Sequence, residues 1–164
     1  MNLPCSVEIN ALRGSDGIVT ALLVSPFESD HAVLRLVFSR DNWRLHSAYD
    51  SEAALSLMSK DTIPVIICNL RNGDLKGLLE ASAQLPNPSK LIVSSRLMDE
   101  RLSAEALNMG AHDVLATPFD AREVFRSVSM AWHSWQRENR SATIRRKQPQ
   151  SAAQGRVLVR TART

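Results

Sequence analysis

Long apolar runs are missing from this 164-residue chain. No stretch approaches the roughly 18–20 apolar residues that a membrane span needs. Residues 1–14 also lack the basic region and apolar core of a signal peptide. These two absences predict a soluble, cytoplasmic protein with no membrane partner. Cysteine is scarce, with Cys5 and Cys68 the only two. Cys68 ends the apolar run Val65-Ile66-Ile67, which marks it as a small buried hydrophobe of a reducing compartment rather than half of a disulfide. The histidines (His31, His46, His112, His133) show no ligand spacing to one another or to a cysteine, so a zinc site is not expected.

What the chain does have is an uneven charge. Residues 137–164 carry eight Lys or Arg against the single acid Glu138, a net of +7, whereas the first 136 residues carry 12 basic and 16 acidic groups, a net of −4. A mildly acidic body is therefore joined to a basic tail. The length fits one domain plus short extensions. Residues 1–17 show no periodicity and read as a partly disordered leader, the body as 18–137, and 138–164 as a basic disordered tail.

Within the body, short apolar runs alternate with segments of helical periodicity. Ile18–Val24, Val65–Cys68, Leu91–Val93 and Val114–Ala116 read as buried strands, and Arg44–Ala48 as an edge strand. Between them, Ala32, Val33, Leu36 and Val37 are spaced to bury one face of a first helix. Asp50 or Ser51 can cap a second helix. A third follows Gly77, Gly110 stops a fourth, and Asp120 opens a capping box for a long fifth. The last helix places Val124, Phe125, Val128, Ala131, Trp132 and Trp135 on one face. The order βαβαβαβαβα argues for a doubly wound parallel sheet, and five of each element fit the flavodoxin-like strand order 2-1-3-4-5. Ligands of such sheets sit at the carboxyl ends of the strands, which points to Asn69 at the end of the central run.

Three motifs in this order resemble those of the CheY-like receiver domain of bacterial response regulators: Asn69-Leu70 with Gly77 beyond it, Gly110-Ala111-His112-Asp113, and Thr117-Pro118-Phe119-Asp120. The resemblance spans about Val19 to Arg137. It implies a phosphorylation pocket in which an aspartate is the nucleophile, an acidic pair holds Mg²⁺, and a hydroxyl and a lysine hold the phosphoryl group. Here those positions are Asn69, Ser25-Pro26, Ser95 and Thr117, and only Ser95 keeps the family type. The proline often found after the aspartate is Gly73, and the aromatic switch residue is Val114. Glu28 and Asp30 follow the vacated acidic pair and are expected to cap or charge the first helix turn rather than bind metal.

The resemblance therefore implies a degenerate receiver, or pseudo-receiver, in two-component phosphorelay signalling. It is expected to be non-enzymatic, to need no cofactor and to bind Mg²⁺ weakly or not at all. Its expected role is a phosphorylation-independent interaction module for signalling proteins such as a histidine kinase or another regulator. Val114, Trp132 and Trp135 are the candidate partner surface, with a homodimer through the last helices as one use of it. Core packing is the competing reading for the tryptophans. A 27-residue tail is too short for a winged-helix output domain, so a stand-alone receiver is expected. The alternative function is nucleic-acid association through Arg145, Arg146 and Lys147 in the tail.

Overall fold

The computed structural model describes residues 17–39, 42–69, 75–97 and 99–147. Its strands are β1 (Val19–Val24), β2 (Trp43–Ala48), β3 (Val65–Asn69), β4 (Lys90–Ser95) and β5 (Asp113–Ala116). They alternate with helices α1 (Glu28–Val37), α2 (Ser51–Lys60), α3 (Leu75–Ala83), α4 (Glu100–Asn108) and α5 (Ala121–Lys147). All pairings are parallel and the sheet order is β2-β1-β3-β4-β5. This is the flavodoxin-like architecture expected from the alternation.

Both faces of the sheet are covered, so its inner strands need apolar residues at every position. Ala21 and Leu23 of β1 join Val65, Ile67, Leu34, Val124, Val128 and Ala131 in a core beneath α1 and α5. Leu22 and Val24 point the other way, to Ile66, Cys68, Ala54, Met58 and Leu78 beneath α2 and α3. The caps follow local chemistry. Asp50 accepts a hydrogen bond from the Ala53 amide, Asp99 from that of Leu102, and Asp120 from those of Arg122 and Glu123. Gly110 after α4 has φ +105°, with nothing within 4 Å of a Cβ added there. It is required for its backbone angle and not for space.

Three expectations need correction. First, α1 is rotated from its expected phase: Asp30, His31, Leu34 and Val37 are buried, while Leu36 is 76% exposed. Its apolar residues spread over about 200° of the helix, and the side that faces in carries Asp30 and His31, each hydrogen-bonded in the crevice. Second, the basic segment after Arg137 does not begin as a disordered tail, because α5 runs unbroken to Lys147. Once a helix is nucleated by a packed first half, it propagates through good helix formers without further burial. Six of residues 138–147 are Glu, Ala, Arg or Lys, the others are Asn139, Ser141, Thr143 and Ile144, and none is Gly or Pro. Residues 1–16 and 148–164 lie outside the described residues. Third, Trp132 is 4% exposed and belongs to the α1–α5 core, so it is not available as a partner anchor. Trp135 is half-buried.

Candidate functional site

The strand ends bring together the residues expected to line one crevice. Ser25 follows β1, Asn69 closes β3, Ser95 closes β4 and Thr117 follows β5. All four are buried, at 0%, 1%, 6% and 7% exposure respectively, whereas Pro26 is exposed. Parallel pairing sets this level: Asn69 is in register with Ser94, and Ser95 with Ala116. The Thr117 amide donates to the Ser95 carbonyl at 3.0 Å. Ser95 Oγ accepts from the Leu97 amide at 3.2 Å, and Thr117 Oγ1 is buried with no partner among the described residues.

The residue that completes the crevice is Asp30, which is 4% exposed. Its Oδ2 accepts the Ser25 hydroxyl at 2.7 Å and the Asn69 amide Nδ2 at 3.2 Å. It does not cap α1: the N-cap position is Phe27, without a side-chain cap bond. Glu28 and Asp30 do lie in the first turn of α1, as expected, but the cap bond is not made, and Asp30 takes a place in the crevice. Glu28 stays outside, where it accepts from Arg35 at 2.8 Å and from the Tyr49 hydroxyl at 2.6 Å. Those two bonds, with the Tyr49 contact the larger, hold its carboxyl below the usual range.

A carboxylate taken out of water needs donors around it. Ser25 and Asn69 supply neutral ones, and a carboxylate can only accept, so Asn69 must present its NH₂ side. Asn69 is therefore tied to the first helix by the amide that distinguishes it from an aspartate. An aspartate at this position would bring two carboxylates to hydrogen-bond distance.

His31, one residue on, anchors the same corner. Its Nε2 lies 2.8 Å from the Ser25 carbonyl, an acceptor, so Nε2 carries the hydrogen. The ring packs on Tyr49 with centroids 4.3 Å apart. At the mouth, the Arg96 guanidinium lies 4.5 Å from the Phe27 ring centroid and donates to Ser29 Oγ at 3.3 Å. Arg96 thereby links the loop after β4 to that after β1. Neither His31 nor Arg96 stood out in the sequence; the signal for Asp30 was its place five residues beyond Ser25.

The chemistry available is limited. Asn69 is no nucleophile for phosphoryl transfer, and Ser25 already donates to Asp30. Mg²⁺ takes carboxylate oxygens by preference. The crevice offers Asp30 alone among the described residues, with one of its oxygens engaged by two donors. Among those residues, no three His, Cys, Asp or Glu side chains are placed to share a metal. The donor set does not fit the ion. Leu70 and Gly73 lie outside the described residues.

The remaining candidates are dispersed. Val114 is half-buried against the α2–α4 side core. Arg145 is exposed on α5, and Arg146 and Lys147 continue that helix as backbone. No described helix is long and apolar enough to cross a membrane.

Comparison with protein families and with curated proteins returns no match. Solved structures do match. NtrX from Brucella abortus, in complex with ADP, superposes with a TM-score of 0.69 at 17% identity over 77% of this chain and 29% of that one. The signal receiver domain of an HD domain-containing protein from Pseudomonas fluorescens gives 0.66 at 24% identity, over 74% of this chain and 91% of that one. The beryllofluoride-activated NtrC4 receiver domain dimer gives 0.64 at 18% identity, over 71% and 98%. The chain has the CheY-like receiver fold.

Proposed function

We propose that this chain is a receiver-type signalling module that works without accepting a phosphoryl group. The observation that carries this reading is the Asp30–Asn69 hydrogen bond, which fills the strand-end crevice with the protein's own carboxylate where a receiver would admit phosphate and Mg²⁺. A buried anion at that point repels an incoming phosphoryl group, and no lysine follows β5 to offset the charge. The module acts in the cytoplasm by docking on a signalling protein, such as a histidine kinase or another regulator, and has no enzymatic step of its own. The docking face is α4–β5–α5, where Leu107, Met109 and Met130 remain exposed while Trp132 is spent on the core.

The test exposes the full chain to acetyl phosphate, and separately to beryllofluoride, each with Mg²⁺. The expected result is no added phosphate by intact mass and no shift of crevice amide resonances. Phosphate on any crevice residue, or a Mg²⁺-dependent beryllofluoride shift, overturns the reading.

A further inference from the structure

The continuous α5 creates a surface that a disordered tail would not have. At 3.6 residues per turn, positions 122, 126, 137 and 140 fall within an arc of about 60°, and at 1.5 Å per residue they span about 27 Å. All four are arginines and all are exposed. Three other basic groups, Arg35, Lys76 and Lys90, are neutralised by Glu28, Glu80 and Glu138. Among the described residues, none of the four α5 arginines is in an ion pair. Glu138 is turned off the stripe toward Lys90 at 2.6 Å, and Glu123 flanks only its first turn.

From this geometry we infer that the exposed face of α5 is a phosphate-backbone binding surface for duplex DNA. Four like charges held in line by a rigid helix repel one another, and a regular array of anions relieves that repulsion. A duplex offers such an array without needing an apolar anchor, since phosphate contacts position a protein by charge alone. The arc presents guanidinium groups and no Trp or Tyr, so charge is what it offers a partner. Membrane-surface helices require a broad apolar side. Here that side of α5, with Val124, Val128, Ala131 and Trp132, is turned into the core, leaving Met130 and Ile144 outside. Apart from Arg122 and Arg126, residues 1–136 hold 10 basic and 16 acidic groups, a net of −6, so the stripe stands on a body of opposite net charge.

The experiment measures binding of the full chain to a labelled 30-base-pair duplex of mixed sequence across a salt series. Each phosphate contact contributes about −0.9 to the slope of log affinity against log salt, so Arg122→Gln, Arg126→Gln, Arg137→Gln and Arg140→Gln together should reduce its magnitude by about 3 to 4. Affinity at low salt should fall at least tenfold. The same four positions changed to lysine should keep the slope, because charge is what is read. All are exposed, and unchanged circular dichroism and melting confirm folding. Neutralising Arg145, Arg156, Arg160 and Arg163 instead should leave the contribution of the stripe in place. The inference is overturned if the glutamine variant keeps the wild-type slope, or if the wild type prefers polyglutamate or 3:1 phosphatidylcholine–phosphatidylserine vesicles to the duplex.

Discussion

Asn69 donates its side-chain amide to the carboxylate of Asp30 at 3.2 Å, across 39 residues of sequence. The bond ties the end of the central strand to the first helix. It also makes the identity of residue 69 a stability question. An amide at this place is needed by the buried acid beside it.

Changing Asn69→Asp should therefore destabilise the fold, because two carboxylates would then share one buried site. We expect a loss of about 1–3 kcal/mol, the scale of an unsatisfied buried polar group. Asp30→Asn, which leaves the shape intact, should rescue Asn69→Asp when the two are combined. Urea denaturation of the four proteins closes the double-mutant cycle. A coupling of about 0.5–3 kcal/mol is expected for a direct pair, and strict additivity would rule the contact out.

Gly17 and Trp132 set the second prediction. A Cβ added at Gly17 would lie 2.9 Å from Cζ2 of Trp132. That ring is 4% exposed and has no free end to swing aside. Gly17→Ala should cost about 1–3 kcal/mol through overpacking, whereas Trp132→Ala should cost about 3–5 kcal/mol through the cavity it leaves. Thermal melts rank the two. A Gly17→Ala protein as stable as the wild type would remove the close approach.

How much of this was legible beforehand depends on range. Val65–Cys68 and Leu91–Val93 read as buried strands because a sheet covered on both sides needs apolar residues without alternation. Asp50, with Ser51 as the alternative, and Asp120 read as helix starts because a cap is decided within four residues. Strand ends bring Ser25, Asn69, Ser95 and Thr117, each buried, to one end of the sheet, while Pro26 is exposed. What sequence reading missed was the phase of α1. Its apolar residues spread over about 200° of the helix, wider than one buried face, and Leu34 rather than Leu36 faces inward on the side where Asp30 meets a donor on β3. No local pattern encodes a partner 39 residues away. The extent of α5 was missed for a different reason: polar composition after Arg137 suggested disorder, yet helix propagation depends on propensity and on an already packed first half.

Ser127 and Asp113 test how α5 is held to the sheet edge. The Ser127 hydroxyl, wholly buried, donates to Asp113 Oδ2 at 2.6 Å. The other Asp113 oxygen accepts from the Val114 amide at 2.8 Å. Ser127→Ala leaves the carboxylate short of a donor and should cost about 1.5–3 kcal/mol, the range for a hydrogen bond to a charged group. Hydrogen exchange should show faster opening of β5 than of β1. Uniform protection in the variant would mean that the bond does not clamp this edge.

His112 gives the fold a pH dependence of defined sign. Burial, and after it the ammonium of Lys90, hold the imidazole below its ordinary value of 6.5, with Asp113 and Glu138 opposing them. The folded state therefore prefers neutral His112. Well above pH 6.5 the residue is neutral in both states and contributes nothing. As pH falls below that value the unfolded chain takes up a proton before the folded one does, and stability declines until the folded pKa is passed. His112→Gln should flatten part of the fall in urea midpoint between pH 7.5 and pH 5.5, leaving only the portion owed to other groups. Parallel curves for the two proteins would show that His112 titrates alike in both states. A steeper curve in the variant would mean that the protonated form is the one the fold prefers, with the nearby carboxylates outweighing burial and Lys90.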